Sequence, residues 1–232
     1  MKPAPEAVND SSVKPLDPPE WLMVAVAALS TLSATLGWTM LHFVSKPMAM
    51  LLAVLLVLRC ADAGAAGKHF KRLLVAALLA SLAGDVFLML PGNFFLPGLA
   101  SFLVAHLFYI VLFRQGVPWF ASRKALLGTL AVGTAMYAWV WPGLNDPLLK
   151  VAVAGYVGVI SLMVAQAMGR AVSLGNRAAA AVALGAALFM LSDSLIAIDR
   201  FVQPLPLASL WVLSSYYAAQ LLIVHNARTK PD

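Results

Sequence analysis

Long apolar runs alternate with short polar segments along nearly the whole chain. Eight such runs, each of 17 to 22 residues, can be distinguished, and a run of that length crosses a bilayer as one helix. They span residues 21–38, 48–64, 73–91, 94–113, 124–141, 148–169, 178–198 and 206–225. The pattern predicts an all-α polytopic membrane protein with eight transmembrane helices in one bundle, and it leaves no room for a soluble domain.

Charged residues are few and unevenly placed. They make up 11% of the 232 residues, against 62% hydrophobic residues, whereas soluble domains carry about 25% charged residues. All lysines and arginines except Lys46, Lys150 and Arg200 lie in alternate connections and at the two ends. The positive-inside rule therefore predicts that both termini are cytoplasmic. The net charge of +6 indicates topology and not nucleic-acid binding.

The ends of the chain differ from the apolar region between them. Residues 1–20 contain five prolines and four acidic residues and predict a flexible cytoplasmic arm. Residues 21–225 form the predicted transmembrane domain, and residues 226–232 a cytoplasmic tail. Cys60 is the only cysteine, so an intrachain disulfide is excluded. The four histidines show no metal-ligand spacing, and no metal or other cofactor is expected.

Two aspartates interrupt apolar helices in similar settings, Asp85 in segment three and Asp193 in segment seven. An ionisable residue inside a membrane is costly and by default marks a functional site. A shift of 108 positions aligns these aspartates and also aligns Tyr109 with Tyr217. We therefore expect a parallel repeat, helices 3–4 against helices 7–8. The aspartates would then lie at one depth, roughly 8 Å below the outer boundary, and meet across a shared cavity.

Two carboxylates in one apolar site cannot both ionise easily, which leaves one acid and one base at neutral pH. That division suits hydrolysis by acid–base catalysis without a metal. It equally suits proton-coupled transport, in which carboxylates load and release protons. The structural alternative is that each aspartate only hydrogen-bonds a serine or tyrosine of a neighbouring helix.

Further polar residues accompany the aspartates. His106 and Tyr109 are three positions apart and share a helix face, although a lone histidine in an apolar helix is more often a packing element. Lys46 is expected near the outer mouth, as a snorkelling lysine, a phosphate contact or a counter-ion to a carboxylate. Segment eight contains several polar residues, and these are expected to face an internal cavity. They are Ser209, Ser214, Ser215, Tyr216, Tyr217 and Gln220. The candidate supporting residues are Lys46, His106, Tyr109, Ser192, Tyr216, Tyr217 and Gln220.

Several stretches resemble the YhhN-type lysoplasmalogenase family. The resemblance runs from about residue 40 to 225 and includes an early Lys-Pro. It rests on Lys46-Pro47, Gly84–Leu90, Phe95–Ile110, Leu188–Ala197 and Tyr216–Ile223. Asp199 departs from it, because an uncharged polar residue is expected there. The resemblance implies hydrolysis of the vinyl-ether bond of lysoplasmalogens, giving a fatty aldehyde and glycerophospho-ethanolamine or -choline.

The implied chemistry agrees with the two aspartates. A vinyl ether hydrolyses by protonation at carbon, and water then captures the oxocarbenium ion. Asp85 and Asp193 would divide the roles of acid and base, and the sequence leaves open which is which. His106 and the tyrosines would orient them, and Lys46 would hold the lipid phosphate. The expected partners are the lysophospholipid and membrane lipids. The alanine-rich segments favour a bacterial inner membrane.

Three other functions are consistent with the sequence. The first is a proton-coupled transporter of lipids or small molecules that uses the same aspartates, although paired helices interrupted by Gly and Pro are lacking. The second is a zinc-dependent intramembrane hydrolase, which would need several converging ligands. The third is a membrane scaffold without catalytic activity, in which the aspartates serve folding alone.

Overall fold

The computed structural model describes residues 15–60 and 64–227. Eight α-helices and one short 3-10 turn, Trp141–Gly143, form this part of the chain, which contains no strand. The helices are α1 Pro18–Thr35, α2 Thr39–Leu58, α3 Gly64–Met89, α4 Phe95–Arg114, α5 Arg123–Val140, α6 Pro147–Leu174, α7 Arg177–Phe201 and α8 Ala208–Ala227. The predicted all-α, eight-helix architecture is confirmed. Most of the predicted arm and tail, residues 1–14 and 228–232, lies outside the described residues.

Six of these helices, α2 to α7, are long and apolar enough to cross a membrane. The more polar α1 and α8 fall short of that measure because they contain more polar residues, and several of these lie inside the bundle. Glu20 on α1 and Tyr216 and Gln220 on α8 are buried, whereas Leu127 and Val151 are exposed on the outer surface. Polar groups inside and apolar side chains outside are the distribution that a lipid environment requires. The chain is a multi-pass membrane protein.

The second helix begins nine residues earlier than the predicted start at residue 48. The prediction was wrong because it took Pro47 as the start of a helix, whereas this proline lies inside α2. Proline lacks the N–H of a helical hydrogen bond, but membrane helices tolerate it where neighbouring groups compensate. Lys46 therefore lies within the bundle and not in a connection.

The most extensive helix contacts join α3 to α4 and α7 to α8, the two pairs related by the predicted repeat. Small residues permit the close approach. A Cβ atom on Gly84 would lie 2.6 Å from Cδ2 of Phe102, and one on Gly185 would lie 2.9 Å from the carbonyl oxygen of Ala219. One hydrophobic core joins α1 to α4 with α6 to α8. The least buried of the six spans is α5, which packs mainly on α6.

Replacement of Gly84 by alanine tests this packing. The Phe102 ring that the new methyl group would meet is itself buried, so Gly84→Ala should destabilise the protein by about 1–3 kcal/mol. Gly155→Ala is the matched control, because nothing lies within 4 Å of its Cβ position on α6. It should be neutral or stabilising by up to about 1 kcal/mol. Thermal unfolding in detergent measures both. Equal midpoints for the two variants would contradict the close packing of Gly84 against Phe102.

Candidate functional site

A first group of polar side chains surrounds Asp85 on α3. Lys46 Nζ, from α2, lies 3.2 Å from Asp85 Oδ1, and the Tyr216 hydroxyl, from α8, donates to Oδ2 at 2.5 Å. The lysine and aspartate side chains are only 10% and 3% exposed. A buried charge has to find its partners within the protein, and Asp85 finds a cation and a hydroxyl. We call Lys46, Asp85 and Tyr216 the Asp85 group.

A second group surrounds Asp193 on α7. The Tyr156 hydroxyl, from α6, donates to Asp193 Oδ2. His106 Nε2, from α4, lies 3.3 Å from the same oxygen and 2.8 Å from the Tyr156 hydroxyl oxygen. The buried Nδ1 of His106 has no hydrogen-bond partner among the described residues. We therefore assign a neutral imidazole with its proton on Nε2, where acceptors are present. We call His106, Tyr156 and Asp193 the Asp193 group.

The two groups are neighbours but remain separate. The Phe189 ring packs edge-on against His106 at a centroid distance of 4.8 Å and against Tyr216 at 5.4 Å. Among the described residues, no hydrogen bond joins Asp85 to Asp193. The predicted meeting of the two carboxylates is therefore not a direct contact.

The expected common depth is also only approximate. Asp85 lies four residues before Met89, the end of α3, and Asp193 lies eight residues before Phe201, the end of α7. At about 1.5 Å per residue these distances are roughly 6 and 12 Å. The difference arises because α7 continues past its predicted end at residue 198, whereas α3 stops before its predicted end at residue 91.

The partners of the aspartates follow the predicted repeat. Asp85 on α3 has one partner on the preceding helix, α2, and another on α8, the second helix of the α7–α8 pair. Asp193 on α7 has one partner on the preceding helix, α6, and another on α4, the second helix of the α3–α4 pair. The aspartates are 108 positions apart, and each pair of partners is 110 positions apart, Lys46 with Tyr156 and His106 with Tyr216. The two groups thus have similar geometry and different chemistry, because one contains a cation where the other contains a phenol.

The remaining predicted residues are buried but bond elsewhere. The Tyr109 hydroxyl donates to Gln220 Oε1 at 2.7 Å and joins α4 to α8. Ser192 donates to a backbone carbonyl of α8 at 3.0 Å, and Tyr217 donates to Ser30 Oγ of α1 at 2.9 Å. Within the described part of the chain, none of these side chains has a hydrogen bond to either aspartate. Their contacts hold α8 against α1, α4 and α7.

Tyr156 is the member of the site that sequence reasoning missed. Nothing catalytic was predicted for helix six, because a single tyrosine in an apolar helix is not a distinctive signal. One indication was available, since Tyr156 lies two positions from the residue that a shift of 108 pairs with Lys46. The shift of 108 positions aligns helices 3–4 with helices 7–8, and the partners on the preceding helices lie two positions out of that register.

An apolar cavity of about 60 Å³ adjoins the Asp193 group. Asp193, Tyr156 and Ser194 supply the polar part of its wall, and helices α3 to α7 supply the rest. Representative apolar lining residues are Leu99, Met136, Val140, Val153, Met190 and Phe201. Apolar walls with a few converging polar groups are typical of sites for small or lipid-like ligands. Across residues 15–60 and 64–227, no three His, Cys, Asp or Glu side chains are arranged to hold a metal ion.

The eight-helix bundle and its buried polar groups define a multi-pass membrane protein with an intramembrane site. Residues 41–227 match the sequence model of the YhhN family. This match includes both aspartates and all their partners, and the chain belongs to the YhhN family. No solved structure gives a significant match.

Named relatives come from animals and bacteria. The chain is 37% identical over 162 residues to lysoplasmalogenase TMEM86B of Homo sapiens, an alignment that covers 70% of this chain and 66% of the human protein. It is 33% identical over 171 residues to a lysoplasmalogenase of Mycobacterium tuberculosis (strain CDC 1551 / Oshkosh), covering 70% and 64% of the two chains. These alignments thus span just under two thirds of each relative's length.

Removal of the cation should reveal how strongly the bundle depends on the Asp85 group. Lys46→Met leaves a buried carboxylate without its counter-ion, which costs about 3–5 kcal/mol. Lys124→Met is the matched control, because Lys124 is exposed and its loss should change stability by less than about 0.5 kcal/mol. Thermal unfolding of both variants in one detergent measures the difference. A Lys46→Met protein as stable as the control would show that the ion pair contributes little.

Proposed function

We propose that this protein is an intramembrane hydrolase that cleaves the vinyl-ether bond of lysoplasmalogen. The products would be a fatty aldehyde and glycerophospho-ethanolamine or -choline. The relatives named lysoplasmalogenase support this function. The observation that carries it is Asp193, a carboxyl group contacted by two uncharged donors in the wall of an apolar cavity. A hydrocarbon chain in that cavity would lie beside a group able to exchange a proton.

The reaction requires an acid, a carboxylate, a water molecule and a base. Protonation of the alkene carbon that does not carry the ether oxygen produces an oxocarbenium ion, and a nearby carboxylate stabilises the positive charge. Water adds to the cationic carbon as a base removes its proton. The resulting hemiacetal separates into aldehyde and alcohol. Asp85 and Asp193 are the two buried carboxyl groups from which the acid and base could come, and aspartate chemistry of this kind needs no cofactor.

The surroundings of the aspartates support different roles for the other polar residues. His106 and Tyr156 would fix the orientation of Asp193, and Tyr216 that of Asp85. The ion pair with Asp85 favours a counter-ion role for Lys46 over phosphate binding. Tyr109, Ser192, Tyr217 and Gln220 would support the site indirectly, by positioning α8.

Both termini would lie on the cytoplasmic side of the membrane. The distribution of lysine and arginine favours cytoplasmic termini, with residues 1–20 and 226–232 as a cytoplasmic arm and tail around the bundle. Both aspartates would then lie nearer the outer ends of α3 and α7. The alanine-rich helices favour a bacterial inner membrane.

Substrate comparison tests the reaction. Purified protein in detergent should release aldehyde from an alkenyl lysophospholipid and nothing from the saturated alkyl ether with the same headgroup, because the latter has no double bond to protonate. In D2O the trapped aldehyde should carry one deuterium on the carbon next to its carbonyl group. The same aldehyde incubated without protein is the control for exchange. Accumulation of intact lipid in sealed vesicles, without aldehyde, would instead support the proton-coupled transporter.

Tyr156→Phe tests the contribution of the Asp193 group. Tyr156 would stabilise the carboxylate that forms as Asp193 gives up its proton. Loss of a hydrogen bond to a charged group, worth about 1.5–3 kcal/mol, should lower the rate of aldehyde release about 10- to 100-fold. Tyr137→Phe removes a comparable hydroxyl that bonds the carbonyl of Lys150, away from both aspartates. It should leave the rate within about threefold of wild type. Equal rates for the two variants would argue against a role for Tyr156.

A further inference from the structure

We propose that Asp193 alone exchanges protons with the substrate, and that Asp85 is a positioning residue that the substrate does not contact. This division of roles rests on the proposed hydrolase function. It follows from three differences between the two groups: access to the cavity, the charge of the partners, and the carboxyl oxygens that these partners occupy.

Access to the cavity distinguishes the two aspartates. Asp193 belongs to the wall of the apolar cavity, whereas neither Asp85 nor Lys46 lines it. Phe102 does line the cavity, and its ring packs edge-on against Tyr216 at a centroid distance of 6.0 Å. The aromatic ring therefore stands between the cavity and the Asp85 group. A substrate in the cavity would meet only the carboxyl group of Asp193.

The charge of the partners also differs. Lys46 and Asp85 form a pair without net charge, and a carboxylate paired with an ammonium group has no proton to donate. No lysine or arginine within the described residues forms an ion pair with Asp193, whose partners are a phenol and a neutral imidazole. An unpaired charge in an apolar core is costly, and a proton on Asp193 would avoid one at this position. Asp193 is therefore the aspartate with a proton available.

The geometry also indicates which oxygen of Asp193 holds that proton. Tyr156 and His106 both approach Oδ2, and Oδ1 has no hydrogen bond to any described residue. The acidic proton therefore belongs on Oδ1, the oxygen left free for a substrate. The two donors meanwhile fix the orientation of the carboxyl plane.

One carboxyl group can complete the reaction. The Asp193 proton moves to the alkene carbon that does not carry the ether oxygen. The π electrons of the double bond form the new C–H bond, and the carbon attached to the ether oxygen becomes cationic. Water adds there and gives a proton back to Asp193. In the hemiacetal the hydroxyl proton is lost, the C–O bond to glycerol breaks, and the glycerol oxygen gains a proton. Asp193 ends in the state in which it began, so no second acid is required.

Asp85 would then act through packing. Its contacts with Lys46 and Tyr216 connect α2, α3 and α8. The Tyr216 ring packs on Phe189, which packs on His106 of the Asp193 group. A change at Asp85 should therefore influence the reaction indirectly, by moving the aromatic side chains that support His106.

Paired substitutions test this division. Asp193→Asn should lower kcat about 10²- to 10⁴-fold with an unchanged unfolding midpoint. Asp85→Asn alone leaves Lys46 buried without a counter-ion, and should lose both stability and activity. The double variant Lys46→Gln/Asp85→Asn replaces the ion pair by a neutral pair that can still form hydrogen bonds. It should recover stability and most of the kcat that Asp85→Asn loses.

The outcomes separate the two proposals. A folded double variant as inactive as Asp193→Asn would overturn the positioning role of Asp85, and an active Asp193→Asn protein would overturn the role of Asp193. Either result leaves the hydrolase function intact if the wild-type protein releases aldehyde. A wild-type protein that releases no aldehyde from the alkenyl lysolipid would contradict the proposed function itself.

A second measurement needs no variant. Dicyclohexylcarbodiimide is apolar and reacts with protonated carboxyl groups, so it should modify Asp193 in the wild-type protein and abolish aldehyde release in proportion. The saturated alkyl ether lysolipid should slow the labelling by occupying the cavity. Peptide mass spectrometry identifies the modified residue. Label on Asp85, or its absence from Asp193, would overturn the assignment.

Discussion

The ion pair between Lys46 and Asp85 is the interaction on which the arrangement of the bundle depends. A hydrocarbon surrounding offers no water to either charge, so each has to be matched by a group of the protein. This requirement fixes α2 against α3, and Tyr216 adds α8 to the same contact. The ion pair also explains why a lysine can lie two turns inside a membrane helix, immediately before a proline.

The two halves of the chain hold their aspartates in similar frameworks that differ in chemistry. In both halves of the chain an aspartate has partners on the preceding helix and on the second helix of the opposite pair. In one half these partners neutralise the carboxylate with a cation. In the other, a phenol and an imidazole contact the carboxyl group without neutralising it. The two groups therefore combine similar geometry with different chemistry.

Aromatic packing completes the difference between the two groups. Phe189 contacts both groups, and Phe102 lies between the Asp85 group and the cavity. These rings exclude water from the ion pair and leave one carboxyl group in the cavity wall. The buried hydroxyl and amide of Tyr109 and Gln220 fix the distance between α4 and α8. The site is thus shaped by packing contacts that belong to no catalytic group.

The sequence by itself determined the helical class, the number of helices and the two aspartates that interrupt apolar runs. Hydropathy and the free-energy cost of burying a charge can be read from each stretch of the chain without knowing its neighbours in space. The sequence misplaced the start of α2, since proline is common in the first turn of a helix, and it attached no meaning to Tyr156. Only the tertiary structure decided that Lys46 pairs with Asp85 and that Tyr156 and His106 share Asp193. Those pairings depend on how each helix is rotated and which faces meet, and a one-dimensional pattern of apolar residues does not encode the rotation of neighbouring helices.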